Sequence, residues 1–110
     1  MRVVLRSDID KLGMERVMQR ALELTGGDGD PLHVSFDMDG IDPSEAPGVG
    51  TPVRGGLTYR EAHLAMEMVA DTGRLGSLEI TEINPIFDVH NKTADLAVEL
   101  ILSALGKTIL

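Results

Sequence analysis

Short apolar runs alternate along this chain with stretches of helical periodicity. Val3–Leu5 is a brief apolar run at the start. From Met14 onward, apolar residues recur at Val17, Met18, Ala21 and Leu22, the i, i+3, i+4, i+7, i+8 spacing of one helix face. Gly26 and Gly27 end that helix, and a turn carries the chain to Pro31. Leu32–Asp37 reads as a strand, with Leu32, Val34 and Phe36 on one side and His33, Ser35 and Asp37 on the other. A loop rich in Gly and Pro follows, from Gly40 to Gly56. The next helix announces itself through Thr58 and Glu61 at capping-box spacing, with Leu57 and Ala62 at the staple positions. Leu64, Ala65, Met68 and Val69 are its predicted buried stripe and Gly73 its stop. A further strand is predicted over about Leu75 to Glu82, then a loop from Ile83 to Lys92. The last helix carries Leu96, Ala97, Leu100, Ile101, Ala104 and Leu105 on one face, with Thr93 as N-cap and Gly106 at its end.

This alternation predicts an α/β fold with parallel strands, about three strands and three helices, in a single segment spanning residues 1–110. An open α/β sheet generally needs more strands than three to cover its edges, so the segment is expected to be part of a larger sheet. The three aromatics, Phe36, Tyr59 and Phe87, are too few to dominate a core, which must rest on aliphatic side chains and Met. Cysteine is absent, which excludes disulfide frameworks, thiolate zinc sites and a cysteine nucleophile. A net charge of −8 repels phosphate backbones and anionic membranes and favours cationic ligands, metals or guanidinium groups among them. The charged residues Arg6, Asp8 and Asp10 come too early for a secretory signal, and no apolar run approaches membrane-spanning length. A cytoplasmic protein, with neither nucleic acid nor membrane as partner, is the expectation.

The most informative segment is SFDMDGIDP, Ser35 to Pro43. Residues two apart on a strand share a side and lie about 6.5–7 Å apart, so Asp37 and Asp39 are expected to emerge together at the strand's C-terminal end. Open α/β sheets place their ligands there. Two carboxylates at ~7 Å repel by roughly 2.4 kcal/mol at an effective dielectric near 20, against about 0.6 kcal/mol in open water. Partial burial therefore calls for a cation, and hard oxygen ligands suit Mg, Ca or Mn. The alternative is a solvated acidic turn, with Asp42 capping the residues after it. An EF-hand loop fails, because Ile41 replaces its third ligand and the glycine comes two positions early. Phe36–Gly40 also resembles the D-x-D-G-T motif of haloacid-dehalogenase phosphatases, but Ile41 stands in place of the threonine, and a strand and a helix precede the motif.

A third resemblance covers far more of the chain. SFDMDGIDPSEAPGVGTPVRGGLTYRE, Ser35 to Glu61, resembles the S-x-D-x-D-x-x-D-P signature of the ureohydrolases and the loop and helix start that come after it. Within that superfamily GGLTYRE, Gly55 to Glu61, is closer to arginases than to agmatinases, which tend to have proline where Tyr59 stands. EITEINPIFDVHNKTADLAVEL, Glu79 to Leu100, is similar to the E-V-N-P and N-K-T segments of bacterial arginases, and DIDKLGMERVM, Asp8 to Met18, to the helix before their metal-ligand strand. The similarity implies the C-terminal part of an arginase-type open parallel sheet flanked by helices.

Arginases hydrolyse L-arginine to L-ornithine and urea at a binuclear manganese site. By resemblance, Asp37 would bridge two manganese ions, Asp39 would ligate one of them, and Asp42 would shape the turn. Glu82 matches the glutamate that pairs with the substrate guanidinium, and Thr51 a threonine lining the active site. Arg60 and Glu61 match a pair associated with subunit contacts, which implies a homo-oligomer, trimer or hexamer. The Asp-Ala-His-x-Asp and Gly-Gly-Asp-His runs that supply most of the remaining arginase ligands are absent from these 110 residues. The segment alone is therefore expected to be inactive, with no certain catalytic residue of its own. An agmatinase-like ureohydrolase and a non-catalytic oligomerising fragment remain the alternatives. The three histidines have no metal spacing, and His63, one turn before Glu67, is expected to face solvent.

Overall fold

The structure, a computed structural model, describes residues 6–107. The elements run α1 (Arg6–Leu12), α2 (Met14–Leu24), β1 (Leu32–Asp37), a 3-10 turn (Met38–Gly40), α3 (Tyr59–Asp71), β2 (Leu75–Thr81), a second 3-10 turn (Pro85–Phe87) and α4 (Lys92–Ala104). β1 and β2 pair in parallel, with Val34 opposite Leu78, Phe36 opposite Ile80 and Asp37 opposite Thr81. A parallel pair cannot be closed by a tight hairpin, and α3 supplies the crossover. Val3–Leu5 lies outside the described residues, which hold two strands in the sheet.

Alternation along the strands decides what each side of the sheet meets. Val34, Phe36, Leu78 and Ile80 pack against a core of Met38, Ile41, Val49, Met66, Leu96 and Leu100, each of these six buried. The opposite side is polar and exposed: His33 Nδ1 and Ser77 Oγ are 2.6 Å apart, and His33 Nε2 lies 3.7 Å from Glu79. α3 packs on α4 and on α2. Between α1, α2, α3 and the strand residues Val34 and Phe36 remains an apolar cleft of about 430 Å³.

Several elements differ from the pattern's expectation. A separate helix, α1, precedes α2, and the two are broken at Gly13, whose φ of +81° favours glycine. In α3 the buried residues are Ala62, His63, Ala65, Met66 and Val69, while Leu64 and Met68 are half-buried. The buried face is thus turned from the one predicted, because α4 as well as the sheet packs on this helix. His63 is fully buried, not solvent-facing: its Nδ1 lies 2.9 Å from Ser103 Oγ on α4 and its ring leans on Tyr59. The capping box is formed in both directions, Thr58 N–H donating to Glu61 Oε1 at 3.0 Å and Glu61 N–H to Thr58 Oγ1 at 3.1 Å.

Thr93 does not cap α4. The N-cap is Asn91, in the left-handed region at φ 59° and without a side-chain cap bond. The acceptor is Asp88, which takes the N–H of Thr93 at 2.9 Å, of Ala94 at 3.2 Å and of Val89 at 2.9 Å. Thr93, fully buried, instead accepts the Gly48 N–H on its hydroxyl at 2.7 Å. Burial works to raise the Asp88 pKa, but the hydrogen bonds from Thr93, Ala94 and Val89 outweigh it and hold the carboxyl below its usual 3.8. Asp88→Ala is expected to cost about 1–2 kcal/mol, as loss of a helix N-terminal acceptor does. The contribution is complete above the unfolded value and is lost as pH falls through the lower folded one. Denaturant titrations of the two proteins should therefore converge in acid below pH 3.8; a gap that stays constant down the pH scale would contradict this role.

Candidate metal centre

β1 stops at Asp37, and strand alternation stops with it. Asp39 shares the side of Asp37 for another reason. The chain enters a single 3-10 turn at Met38, and Asp37 Oδ1 caps that turn by accepting the Asp39 N–H at 3.0 Å. Met38 is fully buried in the core, so the residues on either side of it are left facing outward. Asp37 is exposed and Asp39 half-buried. The D-x-D spacing predicts the convergence of the two acids but not the backbone that produces it.

Glu82 follows the last residue of β2, and β2 ends one residue earlier than predicted, at Thr81. Since Thr81 is the register partner of Asp37, Glu82 leaves the sheet beside the acid pair. Its backbone sits at φ +66°, a conformation uncommon outside glycine and frequent at functional sites, and this turn re-aims the side chain from the strand's path. The Asp37 carboxyl is pushed above the usual range, first by partial loss of water around its ionised form, then by a side-chain hydrogen bond to Asp39 and by repulsion from Asp39 and Glu82; the Asp39 N–H opposes these. Carboxyls that repel one another at close quarters are a donor set that a divalent cation fits, since the cation removes the repulsion.

The Gly40–Gly56 segment is more than a surface loop. Its two ends are joined by a parallel bridge between Ile41 and Leu57, with Asp42 N–H donating to Leu57 O and Leu57 N–H to Gly40 O, both at 2.9 Å. Ile41, Ala46 and Val49 are buried in the core. From this loop Thr51 donates its hydroxyl to Asp39 Oδ2 at 2.9 Å. Thr51 thus reaches the acid pair through Asp39. Asp42 accepts from Ser44 and from Gly55, and these bonds, Ser44's foremost, hold its carboxyl below the usual range. Gly56 passes so close to this turn that an added Cβ would stand 2.5 Å from Asp42 N.

Asp37, Asp39, Thr51 and Glu82 therefore gather at the C-terminal ends of the two strands. Arg60 and Glu61 stand elsewhere, on the first turn of α3; Arg60 is exposed, and the Glu61 carboxylate is occupied by the capping box. Among the described residues no group of three or more His, Asp or Glu side chains could hold a metal by itself. Two residues that shape the surrounding fold have no strong sequence signal. Asp88 looks like one loop acid among several, and the buried His63 like a surface residue.

The family model for the arginase family matches residues 1–106. The chain belongs to the arginase family. It is 53% identical to the arginase of Bacillus subtilis (strain 168), an alignment that covers 100% of this chain and 37% of that protein. Among solved structures, arginase from Bacillus caldovelox superposes with a TM-score of 0.93 at 49% identity, over 100% of this chain and 37% of that one. A more distant relative, Trypanosoma cruzi formiminoglutamase solved with Mn2+, superposes with a TM-score of 0.80 at 26% identity, over 90% of this chain and 33% of that one. This chain therefore spans a little over a third of the length of the arginases it matches. Membership of the arginase family removes the support for the phosphatase reading of the D-x-D motif. No helix among the described residues is long and apolar enough to cross a membrane.

Proposed function

We propose that these residues form one wall of a binuclear manganese centre that hydrolyses L-arginine to L-ornithine and urea. Asp37 and Asp39 hold the metals, and the remaining ligands come from parts of the protein beyond these 110 residues. What supports this is the meeting of Asp37, Asp39 and Glu82 at one edge of the sheet, in a chain of the arginase family. The manganese of the related formiminoglutamase favours the same metal here. When bound, the metals supply an activated water. The residues of this chain do the rest: Glu82 accepts two parallel N–H bonds from the planar guanidinium, and Thr51 holds Asp39 in place.

The expected result is urea release from L-arginine by the full-length protein, dependent on manganese and much weaker with agmatine. The 110-residue chain alone is expected to release none, since its described residues lack a third metal ligand beside the pair. Preference for agmatine would make the protein an agmatinase-like ureohydrolase. Activity untouched by complete removal of metal would end the manganese reading, and urea release by the isolated chain would end the claim that its site is partial. The same reading places the protein in the cytoplasm as a homo-oligomer, trimer or hexamer, with contacts from Arg60 and Glu61. Sedimentation of the full-length protein as a monomer would remove that part of it.

A further inference from the structure

We propose that Asp42 is a positioning residue for Asp39, acting through the loop that carries Thr51. The inference rests on the reading of Asp39 as a metal ligand. The loop leaves the core after Ile41 and returns at Leu57. Its inner half is fixed by buried Ala46 and Val49 and by two bonds at Gly48, whose N–H donates to Thr93 Oγ1 at 2.7 Å and whose carbonyl accepts the Asn84 N–H at 2.7 Å. Its outer half is held differently. Among the described residues, Gly50–Gly56 takes part in no backbone–backbone hydrogen bond outside helices and strands, and Gly50–Gly55 is exposed.

Two side chains tether that outer arc. One is Thr51, whose hydroxyl donates to Asp39 Oδ2 at 2.9 Å. The other is Asp42. Its Oδ1 accepts the Gly55 N–H at 3.0 Å, while its Oδ2 accepts the Ser44 N–H at 3.0 Å and the Ser44 hydroxyl at 2.5 Å. One carboxylate therefore clasps the returning end of the arc, at Gly55, to the start of the loop, at Ser44. Gly56 passes against the Asp42 backbone, where a Cβ would stand 2.5 Å from Asp42 N and 2.6 Å from Ile41 C, so the arc closes tightly at this clasp. With the inner half anchored in the core and the returning end clasped, Thr51 has one place to stand. Its donated proton then fixes which way the Asp39 carboxylate turns. Both oxygens of Asp42 are taken up by Ser44 and Gly55, so its part is to set the angle at which Asp39 is presented.

The test is a double-mutant cycle in the full-length protein, read as manganese affinity from the free Mn2+ signal in electron paramagnetic resonance. Asp42→Ala and Thr51→Val are each expected to weaken binding by about 10–100-fold, the usual loss for an outer partner of a metal ligand. Thr51→Ser, which keeps the hydroxyl, is expected to restore near wild-type affinity. Because both residues act along one route, the double variant should bind no more weakly than the weaker single variant. Losses that multiply would overturn the proposal, as would an Asp42→Ala protein that melts earlier yet binds manganese as before. If Asp42→Ala fails to fold, Asp42→Asn takes its place; it keeps the Gly55 acceptor through which Asp42 is proposed to act, so affinity near wild type is expected, and a loss matching that of Thr51→Val would refute the proposal. Asp39→Ala separates the two levels of inference. If it leaves manganese affinity intact, the reading of Asp39 as a ligand fails; if it abolishes affinity while the Asp42 and Thr51 variants bind normally, the positioning role alone fails.

Discussion

Asp37→Ala is expected to strip manganese from the full-length protein and abolish urea release, while leaving the metal-free fold at least as stable as before. The two effects have opposite signs for one reason. In the metal-free protein Asp37 is repelled by Asp39 and Glu82, so removing its charge relieves an electrostatic cost, which offsets the lost bond from its Oδ1 to the Asp39 N–H. On the proposed reading of Asp37 as a metal ligand, the same charge is what attracts the ion. Loss of affinity should exceed the roughly 10–100-fold cost of removing an outer partner. The wild-type protein should gain thermal stability from added manganese by mass action, and the variant should gain none. Metal content after dialysis and melting curves with and without manganese measure both halves. A variant that retains full metal content would refute the assignment of Asp37.

The largest stability effect is expected at Leu100. This α4 residue is fully buried in the core cluster that also holds Met38, Ile41 and Met66. Leu100→Ala should cost about 2–5 kcal/mol, the transfer free energy of the lost atoms plus that of the cavity left behind. That is a large part of the roughly 5–15 kcal/mol by which domains are stable. Leu105, which shares its predicted stripe, is 69% exposed in this chain, and Leu105→Ala should change stability by less than about 0.5 kcal/mol. Urea titration of the two variants measures the difference. Equal losses would mean that the α4 face has been misassigned.

The contrast between Leu100 and Leu105 marks where the sequence is legible and where it is not. Period and capping chemistry act within a few residues, so β1, α3 with its Thr58–Glu61 box, and the body of α4 can be read directly. Which residues of a helix are most deeply covered depends on its neighbours. That is why Met66 and His63, and not Leu64 and Met68, lie inside α3, where α4 approaches. The α4 cap misleads because Thr93 has the right chemistry at the right place, yet its hydroxyl is taken by Gly48, 45 residues away in sequence, and Asp88 serves the helix end. The site is legible as a set of acids because the D-x-D spacing survives either backbone, strand or 3-10 turn. The left-handed residue at Glu82 is not, since nothing local distinguishes it from a strand-ending glutamate. The tether from Thr51 to Asp39 likewise depends on how the arc between Ile41 and Leu57 folds back on itself.

Met38 lies wholly inside the protein while its two immediate neighbours in the chain carry the acids that face outward. The interior and the acidic edge are thus joined by a single peptide link on each side, with no slack segment between them. A change in how Met38 seats, whether from a wider Val49, a narrower Met66 or a repacked Leu100, is expected to tilt the pair of acids as a lever tilts at its pivot. On the proposed reading of these acids as metal ligands, heat tolerance and ion preference would be inherited together, and a variant selected for one should be assayed for drift in the other.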